Sequence, residues 1–253
     1  MDISKTKSYI TAENAPIGIE IKTSTRYGGF SSAPYNSLNM GYFTGDDITA
    51  VIKNYYYYQN ITKTYNIVTL NQIHCNTVLE VNKENAADIM FSKADGLFTY
   101  ENNLPLGVIT ADCLPVMLAG NKCISSLHCG WRSLNAGIID NAFKLFKKYD
   151  DMPVYAYIGA GICEQCYEVR DDLVNQLNPA YNPASALTEK VQGQYLLNMK
   201  KLASNALIYN GLSIDNIEIS KYSSCCSKGF YSYRLENGKT GRMVTTIQRA
   251  VRQ

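Results

Sequence analysis

The chain has 253 residues, of which 46% are hydrophobic and 18% charged, and its net charge is +2. This composition provides enough apolar side chains for a substantial core and excludes an intrinsically disordered chain or the basic footprint of a nucleic-acid-binding protein. Residues 1–10 lack the apolar segment of a signal peptide, and no apolar run is long enough to cross a membrane. We therefore expect a cytoplasmic protein with neither nucleic-acid nor membrane partners.

Strand and helix patterns are mixed along the whole chain. Residues 18–25 alternate apolar and polar side chains and predict a strand, and a helix is expected to begin near Asp46 and Asp47, because acidic residues suit a first turn. Other segments follow from the same periodicities: strands at 67–70, 77–81, 94–99, 106–110, 154–158 and 217–219, and helices at 134–149, 170–177 and 200–209. The mixed order predicts a mixed α/β (α+β) fold with residues 1–253 as a single domain.

Two later segments carry loop and turn signals. Residues 179–192 have the composition of a loop and are the best candidate for a mobile flap. Residues 230–234 and 242–247 are predicted to pair as a hairpin around the turn at Asn237–Gly238.

The most informative stretch spans residues 106–137, where two apolar runs each carry one polar interruption. Asp112 and Cys113 interrupt the first run, and His128 and Cys129 end the second. The β-branched content predicts strands, with Pro115 as a turn residue. Core strands have no packing reason to place Asp, Cys and His at their ends, so this pattern indicates a functional site.

The chain has only two histidines, His74 and His128, and both follow apolar runs. Together with Cys113 they form a set of nitrogen and sulfur ligands from three separate segments, which is typical of a catalytic zinc with an open fourth position. The alternative from the residues alone is that Cys113 is a small buried hydrophobe and the histidines are core residues.

Two arginines lie in settings that suit the binding of an anion. Arg26 precedes the glycine pair Gly28–Gly29, whose backbone N–H groups can approach an anion, although the residues alone slightly favour a solvated surface arginine. Arg132 lies in the first turn of the helix after His128, a setting that suits phosphate, or it pairs with an acid such as Asp140.

The chain has eight cysteines, and free thiols are the expected state without a signal peptide. Cys163 and Cys166 have the two-residue gap of redox or zinc pairs, but the adjacent Cys225 and Cys226 fit a tetrahedral site poorly together. The roles of these four cysteines stay open.

Several ordered motifs resemble the YfiH-type family, whose members were first labelled laccases or polyphenol oxidoreductases and are now regarded as zinc-dependent purine nucleoside phosphorylases. The motifs are Q-I-H (72–74), A-D-C-L-P-V (111–116), H-C-G-W-R-S-L-N-A-G-I (128–138), S-T-R-Y-G-G-F-S (24–31), S-L-N-M-G (37–41), A-D-G-L-F-T (94–99), I-G-A-G-I-C-E-Q-C-Y-E-V (158–169) and Y-S-Y-R…T-G-R-M (231–243). The resemblance implies a sandwich-like core of mixed β-sheets flanked by helices.

The same resemblance implies the chemistry of the site. Zinc would be held by His74, Cys113 and His128, and Arg26 and Arg132 would hold phosphate. Residues such as Gln72 and Asn39 would position the base or the sugar. The implied activity is phosphorolysis of adenosine, inosine and S-methyl-5′-thioadenosine, with deamination of adenosine as a second activity. The oligomeric state stays open.

Two other function classes compete with this interpretation. Cys113 and His128, with Asp112 nearby, also read as the thiolate–imidazole pair of a cysteine hydrolase or amidase, and editing of a peptidoglycan precursor has been attached to the family. A copper-dependent polyphenol oxidase is less favoured. Two histidines and one cysteine suit a single copper with Met117 as axial ligand, but two histidines cannot build a multicopper cluster.

Overall fold

The computed structural model describes residues 2–250, which contain three β-sheets and both short and long helices. The strands are β1 (Tyr9–Thr11), β2 (Ile19–Ser24), β3 (Val78–Glu80), β4 (Gly96–Thr99), β5 (Leu106–Thr110), β6 (Leu114–Ala119), β7 (Ile124–Cys129), β8 (Tyr155–Ile158), β9 (Glu168–Arg170), β10 (Leu187–Val191), β11 (Gln194–Leu197), β12 (Ile217–Ile219) and β13 (Met243–Arg249). The α-helices are α1 (Ile48–Thr62), α2 (Ala86–Ile89), α3 (Trp131–Asn135), α4 (Ile138–Lys148), α5 (Asp171–Val174) and α6 (Met199–Tyr209).

Two of the sheets face each other as a sandwich. The four-stranded sheet has the order β1-β2-β13-β5, and the six-stranded sheet has the order β12-β8-β6-β7-β4-β3. Their facing side chains form one apolar cluster. The third sheet, β10-β11-β9, is small. The mixed α/β fold with a sandwich-like core is thereby confirmed.

Strand β6 contributes side chains to two apolar clusters, because alternate side chains of a strand point to opposite faces of the sheet. Leu114, Val116 and Leu118 pack with residues of α4 and α6, whereas Met117 and Ala119 pack between the two sheets. Both faces are apolar, which explains why the strand reads as a continuous hydrophobic run. Met117 therefore lies in the core between the sheets, away from the role of axial ligand that the less favoured copper alternative would give it.

Helix α1 covers the outer face of the four-stranded sheet. Asp47 caps its N-terminus, with its carboxylate accepting a hydrogen bond from the Thr49 N–H at 2.9 Å, as the acidic start predicted. Val51, Tyr55 and Tyr58 face the sheet and are buried. Among residues 2–250, no helix combines the length and apolar character that a membrane crossing requires.

Three local predictions near the centre of the chain are wrong. Residues 67–70 form only an isolated bridge, Val68 to Leu106, instead of a strand. Pro115 lies inside β6 and pairs with His128, close enough to the start of the strand for its missing N–H to be tolerated. The helix predicted at 134–149 is split into α3 and α4 by Gly137, whose φ of 84° is left-handed.

The C-terminal third differs more from the prediction. Helix α5 occupies only part of residues 170–177. Residues 179–192 carry two 3₁₀ turns and strand β10, so the predicted loop has regular structure. Residues 230–234 form no strand, and β13 pairs with β2 and β5 instead of closing a hairpin.

Candidate metal centre

His74, Cys113 and His128 meet at the end of the sandwich where β5 turns into β6 and β7 ends. One ligand atom from each lies within 4.8 Å of the other two, and Cys113 Sγ lies 3.8 Å from His74 Nε2. The two imidazole rings stand edge to face with centroids 4.8 Å apart. His128 is buried, Cys113 is half-buried and His74 is exposed, so the group opens on one side.

Asp95 positions both histidines, although it lies outside the ligand group. Its buried carboxylate accepts hydrogen bonds from the backbone N–H groups of residues 73–75, which carry His74, at 2.8 to 3.0 Å. The same carboxylate lies 2.7 Å from His128 Nδ1. Because Nδ1 is engaged in this way, Nε2 of His128 is left to serve as the ligand atom. Asp95 thus orients one ligand ring and caps the turn that carries the other histidine.

The protonation states of the group are coupled. Burial alone would raise the pKa of the Cys113 thiol, but the charge of His128 and hydrogen bonds from both histidines outweigh burial and lower the pKa to about 6. Burial opposes the charged ring of His128, but the Cys113 thiolate and Asp95 together raise the pKa of His128 to about 9. The pocket therefore stabilises a thiolate, the form in which cysteine binds metals.

Two observations show that these residues fit a cation such as zinc. Imidazole nitrogen and thiolate sulfur are preferred zinc ligands, and three protein ligands with one open side are the pattern of a catalytic site. Gly130 leaves the space beside them free, since a Cβ atom there would lie 3.0 Å from His74 Cδ2 and 3.1 Å from Cys113 Sγ.

We expect Gly130→Ala to weaken metal binding at this group by about 10- to 100-fold, the range seen when the surroundings of metal ligands are disturbed. Gly130 has a φ of −71°, which alanine adopts readily, so the effect should come from crowding of His74 and Cys113. Zinc affinity would be measured by competition with a chromogenic chelator. Gly211→Ala is the control: its φ of 98° strains an added Cβ that meets nothing within 4 Å, so stability should fall while affinity stays unchanged. Unchanged affinity in Gly130→Ala would argue against coordination by this group.

A cavity of about 460 Å³ lies beside the ligand group, a size in the range of small-molecule sites. His74, Cys113 and His128 line it. Three arginines and several aromatic rings also line the cavity: Arg132, Arg234, Arg242, Tyr42, Phe43, Phe91, Trp131, Tyr167 and Tyr233. Arg234 and Arg242 lie in the motif at 231–243 but were not predicted as site residues from the sequence.

The arginines of the cavity are held against aromatic rings. The guanidinium carbon of Arg132 lies 4.4 Å from the Trp131 ring centroid, and that of Arg234 lies 5.4 Å from the Tyr167 ring. Arg242 Nη1 donates hydrogen bonds to two backbone carbonyls of its own loop, at 2.7 and 2.9 Å. Within residues 2–250, the guanidinium groups of Arg132 and Arg234 donate no hydrogen bond to another residue, which leaves their donors free for a ligand.

The other predicted site residues are placed differently. Gln72 lines the cavity, but its amide is engaged at both ends by the backbone of Ile109, at 2.7 and 2.8 Å. Asn39 is fully buried and bonds to Asp46 and to the backbone N–H of Arg242, outside the residues that line the cavity.

Arg26 also lies outside the lining of the cavity. Its guanidinium pairs with Glu236 at 3.0 Å and lies 4.6 Å from the centroid of the Tyr231 ring. Glu236 in turn accepts a hydrogen bond from the Ser232 N–H. Arg26 thus anchors the loop that carries Arg234, and its direct role in binding phosphate stays a prediction.

Residues 20–250 match the family described as multi-copper polyphenol oxidoreductase laccase. The chain belongs to this family. It is 31% identical over 244 residues to a Geobacillus stearothermophilus protein named purine nucleoside phosphorylase YlmD, with 89% of this chain and 88% of the relative covered. It is 30% identical over 240 residues to the Escherichia coli protein named purine nucleoside phosphorylase YfiH, covering 92% of this chain and 94% of the relative.

Solved structures of relatives have the same fold. The crystal structure of YlmD from Geobacillus stearothermophilus aligns with a TM-score of 0.85 at 30% identity, covering 94% of each chain. A Neisseria meningitidis protein aligns with a TM-score of 0.86 at 29% identity, over 97% of this chain and 100% of that one. The resemblance to the YfiH-type family is therefore confirmed.

Proposed function

We propose that the chain is a single-domain, zinc-dependent purine nucleoside phosphorylase that acts on adenosine, inosine and S-methyl-5′-thioadenosine. The observation that carries this proposal is the juxtaposition of a His74–Cys113–His128 ligand group with a cavity lined by three arginines. The relatives that carry the name purine nucleoside phosphorylase support it at about 30% identity over most of the chain.

The arginines form the phosphate side of the proposed site. Arginine presents several N–H donors in a plane and matches phosphate oxygens by paired hydrogen bonds. Arg132 follows directly on the segment that carries His128, separated from it by Cys129, Gly130 and Trp131. An anion bound by Arg132 and Arg234 would therefore lie in the same cavity as the ligand group.

The aromatic rings form the nucleoside side. Phe91 stands edge-on to Tyr42 and Phe43, with ring centroids 4.9 and 5.8 Å away, and all three line the cavity. Phe43 and Phe91 are 67% and 39% exposed, so their faces are available to a flat ligand. A purine base offers a planar π-surface that stacks on such rings.

In phosphorolysis an oxygen of phosphate bonds to C1′ of the ribose while the bond between C1′ and the base nitrogen breaks. The residues of the chain contribute by holding phosphate and nucleoside in line, which lowers the entropic part of the barrier. A zinc ion at the ligand group would supply Lewis-acid stabilisation of charge that develops in the reaction. Asp95 keeps the His128 ring in the orientation that this requires.

The test is an assay of purified protein with each nucleoside, with and without inorganic phosphate. We expect free base and ribose 1-phosphate, or its methylthio counterpart, only when phosphate is present. We also propose a slower deamination of adenosine at the same site, which would release ammonia without phosphate. Ammonia release as the sole reaction would contradict the phosphorylase.

Replacing Arg132 with alanine is expected to raise the KM for phosphate by roughly 10- to 100-fold, because a hydrogen bond to a charged group contributes about 1.5–3 kcal/mol. Deamination, which needs no phosphate, should change little. Arg26→Ala is the comparison, since Arg26 pairs with Glu236 outside the cavity lining. If Arg26→Ala raises the phosphate KM as much as Arg132→Ala does, the predicted role of Arg26 as a phosphate ligand is supported. If Arg132→Ala instead lowers phosphorolysis and deamination to the same extent, Arg132 serves nucleoside binding or structure.

A cysteine hydrolase remains the second candidate because one observation favours it. Cys113, His128 and Asp95 stand in the order nucleophile, base and orienting carboxylate, and the Cys113 pKa of about 6 favours the thiolate. The carboxylate is Asp95 and not Asp112, which bonds instead to Ser224 Oγ and the Arg234 N–H at 2.6 Å each. An amidase of this kind would not depend on metal, whereas the phosphorylase should.

Copper chemistry finds less support. A copper at the ligand group would need an axial donor such as Met117 for a blue-copper site, and Met117 is buried between the two sheets. Zinc is therefore the proposed cofactor, with nucleoside and phosphate as the small-molecule partners.

A further inference from the structure

A second cluster of thiols lies apart from the first ligand group. Cys226 Sγ lies 3.0 Å from Cys163 Sγ and 3.3 Å from Cys166 Sγ. The three sulfur atoms all lie within 4.8 Å of one another, and all three residues carry free thiols. They come from two segments about sixty residues apart in sequence, so the cluster results from folding and not from local spacing alone.

The backbone brings these thiols together independently of the sulfur atoms. Cys163 precedes a 3₁₀ turn that ends at Cys166, and the Cys166 N–H donates to the Cys163 carbonyl at 3.1 Å. The other segment is joined to this one by a bridge between Gly161 and Ser223. Ser223 Oγ then accepts the N–H group of Cys226 at 3.2 Å, which turns Cys226 toward the pair.

One cationic side chain, Lys200, lies beside the cluster. Lys200 is half-buried beside the cluster and donates hydrogen bonds to the carbonyls of Ser220 and Tyr222, at 2.6 and 2.7 Å. Its charge interacts with Cys163. Three thiolates around a divalent cation carry a net charge of −1, and a cationic Lys200 offsets that charge.

We propose that Cys163, Cys166 and Cys226 bind a zinc ion at a site separate from His74, Cys113 and His128. Soft thiolate ligands select zinc among the common divalent cations, and zinc takes a tetrahedral arrangement. Each cysteine loses its thiol proton to solvent when the metal binds. Cys226 is exposed, so water fills the fourth position. Cys225 contacts Cys166 but is not part of the group of three, and the proposal gives it no ligand role.

Such a metal would tie the loop at 220–228 to the turn at 159–166. That loop also carries Ser224, whose hydroxyl donates to Asp112 Oδ1 at 2.6 Å, directly before Cys113 in sequence. The second site would therefore brace the wall of the cavity without contacting its ligand group. The second site is independent of the reaction that the chain catalyses.

The experiment measures zinc per chain in reduced, dialysed protein and its variants. We expect about two ions in the wild type, about one in Cys226→Ser and in Cys166→Ser, and about two in the matched control Cys225→Ser. His128→Ala should retain about one ion, which separates this site from the proposed catalytic zinc. No zinc in His128→Ala, or no loss in Cys226→Ser relative to Cys225→Ser, would overturn the proposal.

Cobalt and thiol measurements give an independent readout. Cobalt-loaded His128→Ala should retain a sulfur-to-metal charge-transfer band that disappears in the double variant His128→Ala/Cys226→Ser. In protein denatured with chelator but without reductant, all eight cysteines should react with a thiol reagent. A loss of two reactive thiols, with a disulfide mapped between Cys226 and Cys163 or Cys166, would overturn the metal site in favour of a disulfide.

Discussion

Replacing His128 with alanine is expected to lower the zinc content by about one ion per chain and to reduce phosphorolysis by at least about 100-fold. A metal contributes several kcal/mol to stabilisation of a transition state, and each ~1.4 kcal/mol corresponds to a tenfold change in rate. His128 is the buried member of the ligand group and the one whose ring Asp95 holds. His74→Ala should behave similarly.

The variant should still fold, because the apolar core of the sandwich does not include the ligand group. Far-ultraviolet circular dichroism and thermal unfolding would verify this. Cys75→Ala is the matched control: it adjoins His74 and loses only a thiol contact with Asp95, while the backbone N–H of residue 75 still donates to that carboxylate, so zinc and most of the activity should be retained. Undiminished zinc content in His128→Ala would refute the assignment of this ligand.

Much of the fold follows from local sequence patterns. The strands at the centre of the six-stranded sheet were predicted because apolar runs with β-branched residues need no distant information. The start of α1 was predicted because Asp47 caps its own helix within two residues. Gly137 shows where local patterns are insufficient. Its left-handed φ separates α3 from α4, and the sequence does not indicate whether a glycine within an apolar helical pattern will break the helix.

The strand prediction at 230–234 is wrong for a different reason. One of its backbone hydrogen bonds depends on the tertiary fold, because the Arg234 N–H donates to the side chain of Asp112. The turn signal at Asn237–Gly238 is real as a local preference, and Gly238 has a φ of 83°. The bond to Asp112, which is 122 residues away in sequence, overrides the hairpin pattern, and a local pattern contains no information about it.

In the candidate site, too, some residues could be predicted from the sequence and others depend on the tertiary fold. Residue chemistry alone brought out His74, Cys113 and His128, because these types at strand ends have no packing explanation, and the structure places them together. The arginines of the cavity were harder to choose, since their positions depend on which loops meet. Arg132 lines the cavity with Arg234 and Arg242, whereas Arg26 anchors a loop from outside it.

The reactivity of Cys113 distinguishes the metal-dependent enzyme from the cysteine hydrolase. In zinc-loaded protein a coordinated thiolate should resist iodoacetamide, since its lone pairs are engaged. After chelation the Cys113 pKa of about 6 leaves the thiolate as the main form at neutral pH, so labelling should become fast and should slow again below about pH 6. A hydrolase nucleophile would show the opposite pattern, with fastest labelling in the active form.

The measurement is the labelling rate of Cys113, read by peptide mass with and without chelator, beside residual cleavage of adenosine. Cys75 provides the internal control, because it is half-buried beside His74 and belongs to neither ligand group. We expect the labelling of Cys75 to be unaffected by chelation, while zinc protects Cys113 in proportion to the activity retained. Rapid labelling of Cys113 in zinc-loaded protein, with activity indifferent to chelation, would assign Cys113 as nucleophile, His128 as base and Asp95 as the group that orients it.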